Sequence, residues 1–202
     1  MTATLEMTVP AGWHLVEPGD GPRSADVASV ELTRAVPAAE RERWRRTVAG
    51  ALSEGFAAAD GEDVELLSML VPGGAIGLAL PMTVAVLRLG MSTDSAHDAN
   101  AALAGLVAHD ATARLLATDA GPVLRTHVSA RLGPAHASRL GLRPQEVPEA
   151  ESLRVRYLLP PRGRGRWLAL VHSIPVVDEV SVEAWLELCD ALVVAVRWRR
   201  EE

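Results

Sequence analysis

The chain contains no lysine, one cysteine and few aromatic residues. Its 20 strongly basic residues are all arginine, and 26 acidic residues bring the formal net charge to −6. Without lysine there is no Walker-type P-loop, whose lysine reaches the phosphates of a nucleotide. Since Cys189 stands alone, no internal disulfide can form, which is typical of a reducing compartment. The acidic excess argues against nucleic-acid binding by the whole surface.

Several motifs of catalysis and metal binding are also absent. The chain has no G-x-S-x-G nucleophile elbow, and none of its six histidines has another histidine three or four residues away. No Cys/His cluster has zinc spacing. The opening residues, "MTATLEMTVPAGW", lack the basic and then apolar regions of a signal peptide. We therefore expect a cytoplasmic, non-catalytic protein with no catalytic residues, no metal and no cofactor.

The longest uncharged stretch is Leu66 to Leu87, "LLSMLVPGGAIGLALPMTVAVL". It is long enough to cross a bilayer as a helix of roughly 20 residues. Two prolines and a Gly-Gly pair would break that helix, because proline removes a backbone donor and each glycine costs about 1 kcal/mol. Short apolar runs bounded by Gly and Pro favour buried strands. We expect two core strands, Glu65 to Val71 and Met82 to Leu89, without membrane insertion. Because a strand follows "PGGAIG", we expect no phosphate site there.

Alternation of apolar and polar residues predicts most of the remaining structure as strands. The strands predicted outside the core hairpin are 4–9, 13–16, 27–34, 112–118, 122–132, 153–159 and 166–174.

Three helices are predicted from apolar residues at helical spacing. The first opens at Pro37, where the missing N–H is harmless, and buries a stripe from Trp44 to Phe56. The second begins at Ser95, with Asp98 three residues on as in a capping box. The third covers 182–197, and the arginines at its end are favourably placed at a helix C-terminus. The predicted buried side of the third helix is Val182, Trp185, Leu186, Cys189, Leu192, Val193 and Val196.

The predicted order is three strands, a helix, a core hairpin, a helix, four strands and a helix. Consecutive strands joined by short turns require antiparallel pairing, and the interspersed helices must lie on the faces of the sheet. The fold class is therefore α+β, a single, mostly antiparallel β-sheet with helices packed on its faces. We expect one domain over residues 1–202.

A family resemblance rests on the order of these elements. "GWHLV" follows an N-terminal strand, and "AGPVLR", "VRYLLPP", "WLALVHSIPV" and "LCDALVVAVRW" come later. The pattern resembles PsbP-like proteins of actinobacterial type, which form an α/β/α sandwich. The resemblance covers most of the chain and implies a module that binds other proteins without catalysis. It implies no site residues.

Arginines recur on two predicted strands. The first strand places Arg125, His127 and Arg131 on one face, and the second places Arg154 and Arg156 outward. If the strands are neighbours, four arginines share one sheet face. Guanidinium groups in that arrangement suit carboxylate or phosphate recognition. The alternative is a solvated face whose arginines pair across strands with glutamates.

A cationic hairpin tip follows in "RGRGRW". It contains Arg162, Arg164, Arg166 and Trp167. Arginine and tryptophan are enriched at interface hot spots, so the tip could hold an acidic partner or a nucleic-acid backbone. The alternative is a solvated tip.

Two buried groups have reactive side chains. His172 lies among apolar residues of a predicted strand, so we interpret it as a core histidine, with a general base as the alternative. Cys189 lies on the apolar side of the last helix, which favours an inert buried thiol.

Three functions remain open from the sequence. The leading hypothesis is a cytoplasmic adaptor that contacts another protein, or itself, through a sheet face or edge. The second is a small-molecule pocket or enzyme that uses His172 or His127. The third, which we consider unlikely, is a nucleic-acid accessory that uses the arginine tip. The predicted partner-binding residues are Arg125, His127, Arg131, Arg154, Arg156, Arg162, Arg164, Arg166 and Trp167.

Overall fold

A computed structural model describes most of the chain. The described residues are 3–6, 13–16, 20–34, 36–60, 64–70, 82–131, 151–161, 165–176 and 181–200. Their helices and strands, in chain order, are β1 (Ala3–Glu6), β2 (Trp13–Val16), α1 (Gly21–Leu32), α2 (Ala38–Asp60), β3 (Val64–Leu70), β4 (Met82–Thr93), α3 (Ala96–His109), β5 (Arg114–Thr118), β6 (Gly121–Arg131), β7 (Glu151–Leu159), β8 (Gly165–Val176), α4 (Val182–Val194) and β9 (Arg197–Arg200).

Seven of these strands form one antiparallel sheet in the order β2-β3-β4-β8-β7-β6-β5. Strands that follow one another along the chain are mostly neighbours, except that β8 lies between β4 and β7. A separate antiparallel pair joins β1 to β9. The predicted α+β class is confirmed.

One face of the sheet packs against α4. Side chains of β7 and β8 that point to this face, such as Tyr157 and Leu170, form a single buried cluster with Trp185 and Cys189 of the helix. The helix begins at Ser181, whose hydroxyl accepts a hydrogen bond from the Ala184 N–H. Every apolar residue predicted for the buried side of this helix is buried or partly buried in the cluster, so that prediction is confirmed.

The opposite face packs against α3. Ala99 and Leu103 of this helix contact a second buried cluster that contains Leu124 and Trp167. The predicted cap at Ser95 is confirmed, because its hydroxyl accepts a hydrogen bond from the Asp98 N–H. The sheet thus has a helix on each face, in an α/β sandwich.

The predicted core hairpin is confirmed as β3 and β4, which pair antiparallel from Val64 to Leu70 and from Met82 to Leu87. Both strands lie inside the seven-stranded sheet. The turn and the bend predicted at Pro81 lie outside the described residues. Among the described helices, none is both long enough and apolar enough to span a membrane.

The strand predicted at 27–34 is wrong, because these residues belong largely to α1. Ala25, Ala28 and Ser29 are fully buried, whereas Val27 and Val30 are exposed. Buried positions three and four residues apart follow the helical period. Helix α1 packs chiefly against α2.

Helix α2, which runs from Ala38 to Asp60, is the helix predicted to open at Pro37. Trp44, Val48 and Leu52 are only half-buried. Among the described elements α2 packs chiefly against α1, and the side chain of Phe56, the last residue of the predicted stripe, lies outside the described residues.

The last helix is shorter than predicted and ends at Val194. The following arginines form β9, in which Trp198 pairs with Leu5 of β1. The interpretation of these arginines as helix C-terminal cations is therefore wrong. Their partner strand lies at the other end of the chain, and local sequence carries no signal of such a distant pairing.

Candidate functional site: two faces of the central strands

The register of β6 and β7 separates the predicted arginines. Arg125 lies opposite Tyr157, and Arg154 lies opposite Val128. Residues directly opposite each other share a face, and successive residues of a strand alternate between faces. Arg125 therefore points to the face covered by α4, while Arg154 points to the other face. The expected grouping of four arginines on one face is wrong, although the strands are neighbours.

On the α4 face, Arg125 belongs to a hydrogen-bonded cluster around Asp190. The Arg125 Nη1 donates to Asp190 Oδ2 at 2.5 Å, and the Tyr157 hydroxyl donates to Asp190 Oδ1 at 2.6 Å. Burial and the bond to this carboxylate raise the pKa of Tyr157, so its hydroxyl stays protonated. The cluster connects α4 to two strands. Sequence analysis missed Asp190, whose only signal is a carboxylate beside Cys189 within an apolar helix.

His172 lies on the same face, fully buried and without charged neighbours in hydrogen-bond reach. Its ring meets the Tyr157 ring edge-on at 5.5 Å between centroids, and neither ring nitrogen has a partner in the described part of the chain. Burial lowers the pKa of His172 to about 3. A base this weak is poorly matched to proton abstraction at neutral pH. The core position predicted for His172 is confirmed, but the hydrogen-bond partners expected of a satisfied core histidine are not found among the described residues.

The Cys189 thiol is also buried at this interface. Burial and the nearby Asp190 charge raise the pKa of Cys189 to about 12. The thiolate is the nucleophilic form, and this environment disfavours it. The prediction of an inert thiol agrees with this chemistry.

His127 is half-buried near the loop before β5. Its backbone N–H donates to Thr112 Oγ1 at 3.3 Å, while its ring Nδ1 has no partner among the described residues. Asp110 accepts hydrogen bonds from the Thr112 N–H and hydroxyl, which lowers the pKa of Asp110. The side chains of Asp110 and Thr112 are therefore both used in the turn before β5.

On the opposite face, Arg154 and Arg156 are exposed. Neither makes a hydrogen bond or an ion pair within the part of the chain that the structure describes. Their neighbours on β8 are Ser173 and Val171. We call this region the open face, defined by Arg154, Arg156, Val128, Val171 and Ser173.

A groove of about 740 Å³ runs along the open face. Its lining is mostly apolar and comes largely from β4 and β8, and it also includes Leu106 of α3 and the two arginines of β7. Lining residues of the floor are Ala85, Leu87, Leu89, Ala169 and Val171. The arrangement can hold an apolar body whose anionic groups meet the guanidinium groups.

The remaining predicted residues lie at or near the β7–β8 turn. Arg162 and Arg164 lie outside the described residues, and Arg166 is exposed at the start of β8. Trp167 is only 1% exposed and packs in the α3 cluster, so the expected exposed aromatic of the tip is wrong. Arg131 pairs with Glu151 in the strand register.

Metal ligands do not assemble in the described ranges, where no group of three His, Cys, Asp or Glu side chains could hold an ion.

No protein-family model matches the chain, and no curated protein matches it. A search of solved structures finds a protein from Bacteroides thetaiotaomicron at a TM-score of 0.46 and 7% identity, which covers 98% of this chain and 46% of that one. The chain thus spans about half the length of that protein. A likeness this weak establishes neither a common fold nor a function, and the resemblance to PsbP-like proteins stays a prediction.

Proposed function

We propose that the protein is a non-catalytic binding module that holds an acidic, partly apolar segment of another protein on its open face. The observation that carries this proposal is a pair of exposed arginines, Arg154 and Arg156, which have no partner among the described residues and lie beside an apolar groove at the centre of the sheet.

The charges of the open face favour a carboxylate-bearing partner. Five N–H donors in a planar fork make each arginine suited to bidentate contact with a carboxylate. Arg125 on the neighbouring strand β6 is instead bonded to Asp190. The guanidinium groups of Arg154 and Arg156 can therefore meet a partner without breaking any ion pair within the described residues.

The apolar surface around them favours burial in a complex. Val128 on the open face is 56% exposed, and Met91 and Leu106 at the groove are 47% and 39% exposed. Arginine combined with contiguous apolar surface is typical of interaction sites. Burial of this surface would supply affinity, and the arginines would supply selectivity for acidic sequences.

Photo-crosslinking in the cells that naturally make the protein tests this function. A photoreactive residue replaces Val128 on the open face or, as the control, Val27 on α1, a valine of similar exposure. We expect a protein adduct specific to position 128 that falls at least tenfold when Arg154→Glu and Arg156→Glu are added. Equal adducts from both positions, or an adduct unaffected by charge reversal, would contradict the proposal. An adduct of twice the chain mass would identify the partner as a second copy.

A second candidate is a small amphipathic anion, because the groove volume of about 740 Å³ falls within the range of ligand pockets. Native mass spectrometry of gently purified protein separates the candidates. A retained small molecule of the size that such pockets hold would add roughly a few hundred daltons to the mass of the protein. A protein partner would add the mass of a second polypeptide chain.

We place this function in the cytoplasm, as part of the same proposal. The support is the single cysteine, which fits a reducing compartment.

A further inference from the structure

We infer that the element held on the open face is an amphipathic α-helix of the partner, with two carboxylates one turn apart, lying beside α3 along the groove. This inference rests on the proposed function and names the form of the partner segment.

The position of the groove on a sheet face argues for a helix. An extended segment gains affinity chiefly from main-chain hydrogen bonds at a sheet edge. The backbone groups of β7 and β8 are already used in the sheet, since each strand is paired on both sides. An extended chain on the apolar floor would therefore bury N–H and C=O groups without partners, which is costly. A helix satisfies these groups internally and presents only side chains.

The space beside α3 has the size of a helix. Helix α3 already lies on this face, and Leu106 forms part of the groove wall. A helix about 10 Å wide with a 5.4 Å pitch fills about 420 Å³ per turn. The groove of about 740 Å³ therefore holds between one and two turns. Helices packed side by side on a sheet complete the layer that α3 begins.

The spacing of the arginines matches a helical pair of carboxylates. Arg154 and Arg156 are two residues apart on one strand, a separation of about 6.7 Å. Side chains at positions i and i+4 of a helix are about 6 Å apart along its axis and lie on one face. A helix aligned with the strands can thus place one carboxylate against each arginine, with its apolar residues over Leu87 and Val171.

Selection from two phage-displayed peptide libraries tests the form of the ligand. Both libraries vary apolar and acidic positions in 14-residue peptides; one has an alanine-rich helical framework, and the other has proline at every third position, which prevents a helix. The full-length protein serves as bait. We expect enrichment from the helical library of sequences with acidic residues at i and i+4 or i and i+3. Enrichment should fall at least tenfold on the variant Arg154→Ala, Arg156→Ala.

The matched control bait carries Arg41→Ala and Arg43→Ala, two arginines on α2, and should select the same peptides as the wild type. Enrichment from the proline library, or helical peptides whose capture ignores Arg154 and Arg156, would overturn the helix inference. Either result would reject the helical form of the partner segment but not the proposed function, because the crosslinking experiment detects a partner of any form. A missing adduct at position 128 would instead reject the function itself.

Discussion

The two faces of the central sheet treat the same kinds of side chain in opposite ways. On β7, Tyr157 is buried against α4 and its hydroxyl is bonded to Asp190, whereas its neighbour Arg156 is exposed on the open face. On the α4 face the helix supplies a carboxylate for Arg125. On the other face α3 supplies apolar side chains, and Arg154 and Arg156 have no hydrogen-bond or ion-pair partner among the described residues. The difference separates a cluster that stabilises the fold from surface available for binding.

Among the substitutions that test this difference between the faces, we expect replacement of Asp190 to have the largest effect on the free energy of unfolding. The variant Asp190→Ala should lower the free energy of unfolding by about 3 kcal/mol, because it leaves a largely buried guanidinium and a buried hydroxyl without their acceptor. The side chains of Arg125 and Asp190 are only 14% and 24% exposed. Urea unfolding monitored by circular dichroism measures the loss. The control Glu42→Ala, which removes an exposed carboxylate paired with Arg45 and Arg46, should lower the free energy of unfolding much less, because exposed ion pairs contribute little. Equal losses would contradict this account.

The pH dependence of stability should sharpen the contrast through His172. The unfolded histidine binds a proton below its ordinary pKa of about 6.5, whereas burial keeps the folded side chain neutral down to about pH 3. The unfolded state therefore binds more protons in this window, and stability falls as the pH falls, by up to about 1.4 kcal/mol per unit. The variant His172→Leu should lose this part of the slope. Urea unfolding between pH 8 and 4.5 measures it, and parallel curves for both proteins would contradict the prediction.

The smallest effect should come from the open face. The double variant Arg154→Ala, Arg156→Ala should change the free energy of unfolding by less than about 0.5 kcal/mol, because both side chains are exposed and have no partner among the described residues. In contrast, Arg125→Ala should cost about 2 kcal/mol, since it removes the cation beside Asp190. The same urea titrations compare them. Surface substitutions usually change the free energy of unfolding by no more than about 0.5 kcal/mol. A loss of about 1 kcal/mol or more in the double variant would therefore show that the open face supports the fold.

Strand periods were predictable, but the direction of each face was not. Side chains alternate between the two faces along both strands, as predicted. On β6, Leu124 and Val128 lie on the other face from Arg125, and on β7, Val155 and Tyr157 lie on the other face from Arg154. The error lay in assuming that both apolar sets point to one interior. The sheet has buried clusters on both faces, so Leu124 packs with α3 while Tyr157 packs with α4.

Other errors have a similar physical origin. Trp167 follows a run of arginines and glycines, and nothing local shows that α3 covers it. The alternation at 27–34 was weaker evidence than the buried positions of α1, which are small residues with little apolar signal. Asp190 gains its role only because α4 sets it above two strands from distant parts of the chain.

The sequence by itself determined the periodic elements, since alternation, helical stripes, a capping serine and turn residues act over a few neighbouring positions. It thereby determined the core hairpin, the strands β5 to β8, the buried side of α4 and the α+β class. Only the tertiary structure decided the register between strands and the helix above each face. A shift of one residue in register moves every side chain of a strand to the other face, so pairing between distant segments decided that Arg125 meets Asp190 on the α4 face while Arg154 and Arg156 lie on the open face.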